Sequence, residues 1–374
     1  MTSRVARIAA GACMLAFAVT PPAHAQCPSD VNADGRTDAV DLAAVLSQWG
    51  ACGSGSSCSG DINGDGVVDA IDISSMLSGW GPCIAVPAWA TLIEAYPDPA
   101  VVQSAALREA IAATGLAWRV RDTETQLELV LIPPGTFEMG CSVSNGLLCS
   151  GNEGPVHSVT LTSAFYIGRY EVTQAQWQAR MGSNPSLWRN PSPEVPPSEV
   201  PNRPVDTVTW ENIQGFLGAN SFKGGGVGSV LRLPTEAEWE YAYRAGTDTA
   251  YHSLPGHPDG TNDDQLANDI AWWGSCPGCG GNSGHQTYPV GRKAGNGFGL
   301  HDMAGNIYEW VNDFSGPYQQ GPVVDPTGPV AGSTRVLRGG SFADARTNLR
   351  SSKRYWSVPS HLSNRYGFRV ARNP

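Results

Sequence analysis

Glu309 stands between Tyr308 and Trp310, in a strongly apolar run that follows the pair Gly305-Asn306. A carboxylate inside an aromatic strand is costly unless it is paired or bound to a metal. Asp302 lies seven residues earlier, and Gly305-Asn306 between them can turn the chain back on itself. Two carboxylates closing on a turn with inward carbonyls form a reasonable oxygen cage for a hard cation such as Ca2+. A buried arginine satisfies Glu309 equally well, and spacing alone does not choose between the two.

A second set of oxygen ligands is duplicated. Shifting the chain by 31 residues aligns Cys27-Pro-Ser-Asp-Val-Asn-Ala-Asp-Gly with Cys58-Ser-Gly-Asp-Ile-Asn-Gly-Asp-Gly. Oxygen side chains fall at loop positions 1, 3, 5, 9 and 12, as Asp30, Asn32, Asp34, Asp38 and Asp41, then Asp61, Asn63, Asp65, Asp69 and Asp72. Arg36 and Val67 offer a carbonyl at position 7, and Gly35 and Gly66 the sharp turn. This is EF-hand spacing for Ca2+. Eight aspartates face only Arg36, a local charge of about -7, and such crowding needs cations to fold. The alternative is a pair of acidic turns without metal. Position 12 is Asp rather than Glu and no helix precedes either loop, so the segment resembles a dockerin. The resemblance implies docking to a cohesin-like or cell-surface protein through loop positions 10 and 11. Here those are Ala39-Val40 and Ala70-Ile71, which lack the hydroxyls usual in that family.

The N-terminus reads as a secretory signal, with Arg4 and Arg7 before the apolar residues 8–19 and Ala23-His-Ala25 as cleavage site. The expected product starts near Gln26 and is exported, which makes disulfides the default for its eight cysteines. Cys27 and Cys52 are 25 apart, as are Cys58 and Cys83, and a bridge within each copy is expected to staple a thin core. Cys276-Pro-Gly-Cys279 lacks the strand–helix context of a redox motif; structural bridges are expected there, within the pair or to Cys141 and Cys149. No further stretch is apolar enough to span a membrane, and a net charge of -10 argues against a nucleic-acid partner.

The chain has 374 residues, room for two or three domains, and its 44 glycines and 28 prolines describe a loop-rich protein. Residues 84–97 carry two prolines, Pro87 and Pro97, and read as a linker, 98–115 as an amphipathic helix, and 127–132 as a strand. Capping boxes at Thr173-x-x-Gln176 and Thr235-x-x-Glu238 start two helices, and a third is expected after Thr209. The fold class is α+β with little regular structure, and tryptophans such as Trp177, Trp210, Trp239 and Trp310 are expected in its core.

The Gly-Asn-x-x-Glu-Trp run joins Arg232-Leu-Pro-Thr-Glu-Ala-Glu-Trp-Glu-Tyr-Ala, Arg338-Gly-Gly-Ser-Phe342 and Gly367-Phe-Arg-Val-Ala-Arg372. Together, in this order, they resemble the formylglycine-generating enzyme (sulfatase-modifying factor) family from Trp118 to the C-terminus. The resemblance implies a formylglycine-generating-enzyme-like (C-type-lectin-like) fold. It also implies a structural Ca2+ on the side chains of Asp302 and Glu309 and the carbonyls of Met303, Gly305 and Ile307. The organisation is then a signal over 1–25, a dockerin-like unit over 26–83, linker and helix over 84–117, and the family domain over 118–374.

The family oxidises a substrate cysteine to formylglycine with two cysteines that hold Cu(I), five apart after Arg-Gly-Gly-Ser. Those positions are Asp344 and Leu349. Soft thiolates suit Cu(I), and a carboxylate or an isobutyl group does not. The sequence therefore favours a non-catalytic binding or scaffold module that takes a peptide or glycan ligand, over the alternative of an oxidase acting on sulfatases. For a binder, Asp344, Arg346 and Arg350 are expected to line a polar pocket, and Trp272, Trp273, Tyr355 and Trp356 to lie exposed beside a groove.

Overall fold

The structure, a computed structural model, describes residues 27, 29–32, 35–53, 58–141, 149–218, 230–254, 256–274 and 280–374. The chain forms two compact units, one ending at Cys83 and one spanning Ile84–Pro374.

The first unit is a twofold loop–helix arrangement: β1 (Arg36–Thr37), α1 (Ala39–Ser47), β2 (Gly50–Ala51), β3 (Val67–Val68), α2 (Ala70–Ser78) and β4 (Gly81–Pro82). Asp38 and Asp69 cap the two helices in capping boxes completed by Asp41 and Asp72. The ends are exchanged: β1 pairs with β4 and β2 with β3, so each loop is closed by the segment that follows the other helix. The disulfides obey the same exchange and join Cys27 to Cys83 and Cys52 to Cys58. The expected Cys27–Cys52 and Cys58–Cys83 pairing is thereby corrected, because the exit of each helix lies beside the entrance of the other loop. Among the described residues the buried hydrophobic core is Val45, Val68 and Met76, ringed by half-buried residues such as Leu42 and Ile73.

In the second unit the stretch expected to be a linker contains β5 (Ala90–Glu94). It is the edge strand of a five-stranded sheet and pairs antiparallel with β6 (Arg119–Asp122). The expected 98–115 helix shortens to α3 (Ala105–Ala112), because the Ser104 hydroxyl caps it at Leu107 while Asp98 closes a separate turn. β7 (Glu128–Ile132) then leads to β8 (Gly135–Met139), β9 (His157–Leu161) and β10 (Phe165–Gly168). Three capping boxes, at Thr173, Thr209 and Thr235, start α4 (Gln174–Met181), α5 (Trp210–Leu217) and α6 (Glu236–Arg244). The short α7 (Ala267–Ile270) runs into β11 (Ala271–Trp272), which pairs in parallel with β12 (Ala304–Gly305). The remaining strands are β13 (Tyr308–Phe314), β14 (Val323–Val324), β15 (Arg335–Arg338), β16 (Tyr355–Ser357), β17 (Tyr366–Gly367) and β18 (Ala371–Arg372). They complete a sheet of order β18-β10-β7-β6-β5, a sheet of order β16-β15-β13-β17, and a smaller β14-β9-β8 sheet. Trp118, Trp239 and Trp310 are fully buried between them, with Trp177 and Trp210 close to it.

His252 is buried in this core, with Nδ1 2.7 Å from the Ser253 carbonyl and its ring against Tyr243. Burial lowers its pKa to about 4. A base depressed in the folded state contributes stability that is whole above the unfolded value, near 6.5, and is lost as pH falls from there towards 4. His252→Asn keeps a donor for the carbonyl and cannot titrate. The wild type should lose about 2 kcal/mol relative to this variant between pH 7 and pH 5 in urea melts; parallel losses would refute a neutral buried His252.

Candidate functional site

β13 carries Glu309 into the sheet opposite Arg338 of β15 and beside Gly367 of β17. The carboxylate is almost fully buried, and both its oxygens are engaged. Oε1 accepts from Arg369 Nη2 at 2.6 Å, and Oε2 accepts from Arg369 Nε at 2.6 Å and from Trp239 Nε1 at 2.7 Å. The arginine alternative is thus realised, and its residue comes from the closing Gly-Phe-Arg motif.

The turn before it is tight. Asp302 and Asn306 both adopt positive φ, as does Gly305, where a Cβ would lie 2.4 Å from the Trp272 carbonyl oxygen. Only glycine fits there. Asp302 Oδ2 accepts from the Gly291 amide at 2.7 Å, and Oδ1 is buried without a hydrogen-bond partner. Glu171, unmarked in the sequence, closes the cluster: Oε2 accepts from Asn306 Nδ2 at 2.7 Å and Oε1 from the Ile307 amide at 3.2 Å. No local pattern around Glu171 announces a partner 135 residues away.

Burial pushes the Asp302 carboxyl up to about 6. It pushes Glu171 well above the usual range, with Asp302 and Glu309 adding to the shift. Three buried carboxyls thus share one guanidinium, Arg369. The orphaned Asp302 Oδ1 suits a hard cation; Glu309 retains only the lone pairs left by its three donors. Among the described residues no three His, Cys, Asp or Glu side chains group as a metal cluster. A cation here would therefore draw on backbone carbonyls, those of Met303, Gly305 and Ile307.

The positions matched to copper ligands lie just after β15. Ser341 donates to Asp344 Oδ2 in a short contact, and Tyr308 donates to Oδ1 at 3.2 Å. Asn348 Nδ2 reaches the same oxygen at 3.3 Å. Asp344 has only these neutral donors and no ion pair among the described residues. Leu349 is fully buried. These two side chains do not fit a copper ion. Cys276 and Cys279 lie outside the described residues, although Gly274 just before them donates its amide to the Asp344 carbonyl at 2.8 Å. Cys141 and Cys149 are joined to each other.

The expected Asp344–Arg346–Arg350 pocket does not form. Arg350 turns inward and grips Glu153 with two bonds of 2.6 and 2.8 Å, while Arg346 lies over the Trp273 ring. A buried guanidinium gains more from a buried carboxylate than from a half-exposed one. The same inward network binds Arg244 and Arg338 to Glu240, and Arg338 and Arg354 to Glu236. Trp273 is buried rather than exposed, and Trp272 is half-buried, stacked 3.8 Å from Tyr288 under the Lys293 ammonium. Tyr355 and Trp356 are 44% and 47% exposed, and the Tyr355 ring adjoins Tyr308, which holds Asp344. The face above Asp344 is therefore aromatic.

In the first unit the loop aspartates gather backbone amides. Asp61 accepts from Gly64, Asp65 and Gly66, and Asp72 from Ile62, Asn63 and Asp69. Asp30 and Asp41 take the equivalent Gly35, Asn32 and Asp38 amides, Asp65 accepts from Val67, and Asp34 lies outside the described residues. Among the described residues these carboxylates are bonded to loop amides and do not gather as a group of three that could hold a metal.

Known proteins resemble the second unit. The profile of the sulfatase-modifying factor enzyme 1-like domain matches residues 117–374. A formylglycine-generating enzyme from Streptomyces coelicolor is 33% identical over 316 residues, covering 70% of this chain and 93% of its own. Among solved structures, Treponema denticola variable protein 1 superposes with a TM-score of 0.55 at 30% identity, over 66% of this chain and 95% of that one. PvdO from Pseudomonas aeruginosa does so with a TM-score of 0.53 at 26% identity, over 68% and 98%. With the Glu309 strand, the Arg338 turn and the Arg369 clamp all in place, the chain belongs to the sulfatase-modifying factor enzyme 1-like family.

Proposed function

We propose that the protein is an exported, calcium-binding member of this family that binds a ligand at the vacated oxidase site instead of oxidising a cysteine. The observation that carries the reading is the replacement of both copper-ligand positions, by an Asp344 held among neutral donors and by a fully buried Leu349. Asp344 at the base of an aromatic face, with Tyr355 and Trp356 exposed, suits a peptide or glycan ligand. The dockerin-like unit is the tether, its loops closed by two Ca2+. Val40 and Ile71, one on each helix, are 59% and 57% exposed and offer an apolar contact to a partner protein. A further Ca2+ sits on Asp302, with Arg369 and the ion sharing the neutralisation of the Glu171–Asp302–Glu309 cluster.

The deciding experiment is mass spectrometry of a Cys-x-Pro-x-Arg peptide incubated with the mature protein, Cu(I) and oxygen. No conversion is expected beside an active formylglycine-generating enzyme. Conversion that disappears in a Cys276→Ser, Cys279→Ser double variant would make the protein an oxidase with relocated thiols.

A further inference from the structure

A second site lies away from Asp344. The connection from β13 to β15, residues 315–334, borders the start of α6 and leaves a half-open cavity of about 650 Å3. Met139, Phe314, Pro317 and Val323 give it apolar walls. Its volume is that of a small-molecule site.

Its hydrogen bonds leave one oxygen over. Glu236 is gripped by Arg354 through two bonds of 2.7 Å and by Arg338 at 3.2 Å, so that carboxylate is neutralised. Arg354 is spent on this grip, on two backbone carbonyls and on the Tyr318 face 4.0 Å away. His157 directs Nδ1 to the Pro155 carbonyl and its ring to Tyr318. Asp313 remains. It is 3% exposed, and its Oδ2 accepts from the Glu236 amide at 2.9 Å. Its Oδ1 has no hydrogen bond or ion pair among the described residues, in a carboxylate that lines the cavity.

A helix cap needs one oxygen; Arg354 and Arg335 act on this carboxylate through space, but no cation among the described residues bonds its second oxygen. Burial, with Glu236 next, pushes this carboxyl well above its usual range, as for an acid awaiting a counter-ion. Asp325 also lines the cavity, but its oxygens accept from the Thr162 amide and hydroxyl; the one carboxylate oxygen left over is too few ligands for a hard metal ion, which takes six or more oxygens. We propose that this cavity binds an organic cation, a guanidinium or ammonium on a short aliphatic body, with Asp313 as its counter-ion. The proposal stands apart from the Asp344 reading.

The probe is butylguanidinium, with butylammonium beside it, titrated into the full mature chain at fixed ionic strength and followed by calorimetry. Saturable binding is expected, weakened roughly ten-fold or more in Asp313→Asn, where a desolvated charge pair is lost. Asparagine still accepts the Glu236 amide, so the variant should melt with the wild type. Should it not, Val323→Trp fills the cavity without touching Asp313 and should abolish binding. Asp344→Asn should leave it unchanged. Absence of saturable binding, equal affinity in Val323→Trp, or a loss in Asp344→Asn would each overturn the proposal.

Discussion

Arg369→Met should destabilise the second unit by about 3–5 kcal/mol, the range for removing one partner of a buried ion pair. The guanidinium satisfies both oxygens of Glu309 and donates to the Gly168 and His301 carbonyls at 3.0 and 2.9 Å. Methionine keeps much of the volume and none of the donors. Glu309 would then be left with Trp239 Nε1 alone, in a cluster where Asp302 and Glu171 already repel it. Denaturant unfolding in chelator measures the loss, and a change below about 1 kcal/mol would show that the clamp is not what holds this strand. If Ca2+ occupies Asp302, adding it should recover part of the loss, because the ion supplies charge that the arginine no longer does.

Withdrawing calcium should act on the other unit. Among the described residues its hydrophobic core has three buried members, and its eight aspartates face a single arginine. Metal binding is then largely folding free energy. At free calcium a hundred times the Kd, linkage supplies about 2.7 kcal/mol per site, a roughly hundredfold fall in amide protection for each ion removed. Hydrogen exchange at Val45, Val68 and Met76 reads this directly. Protection unchanged by chelator would leave the loops as acidic turns and remove the docking unit from the reading.

What could be read from the sequence was what local chemistry writes locally. The capping boxes at Thr173 and Thr235 mark their own helices, and Gly305 marks its own turn. Glu309 announced a burial problem but not its solution, since Arg369 lies 60 residues on and strand pairing alone brings it back. Arg350 misled because it neighbours Asp344 in sequence while Glu153, 197 residues away, is the buried carboxylate. β5 was hidden by the prolines that flank it, which an edge strand tolerates. Equal cysteine spacing identified a repeat and pointed to the wrong partners, since a symmetric repeat is silent on whether its ends stay home or exchange.

That exchange changes how the unit responds to a cut. With Cys27 bonded to Cys83, the backbone between them is a closed covalent ring, and Cys52–Cys58 is a small loop within it. One scission anywhere in the ring opens it without releasing a fragment. Bridges within each copy would have let a single cut at 53–57 part the two loops. As built, a protease must strike twice before either loop can leave, so a nicked unit stays in one piece.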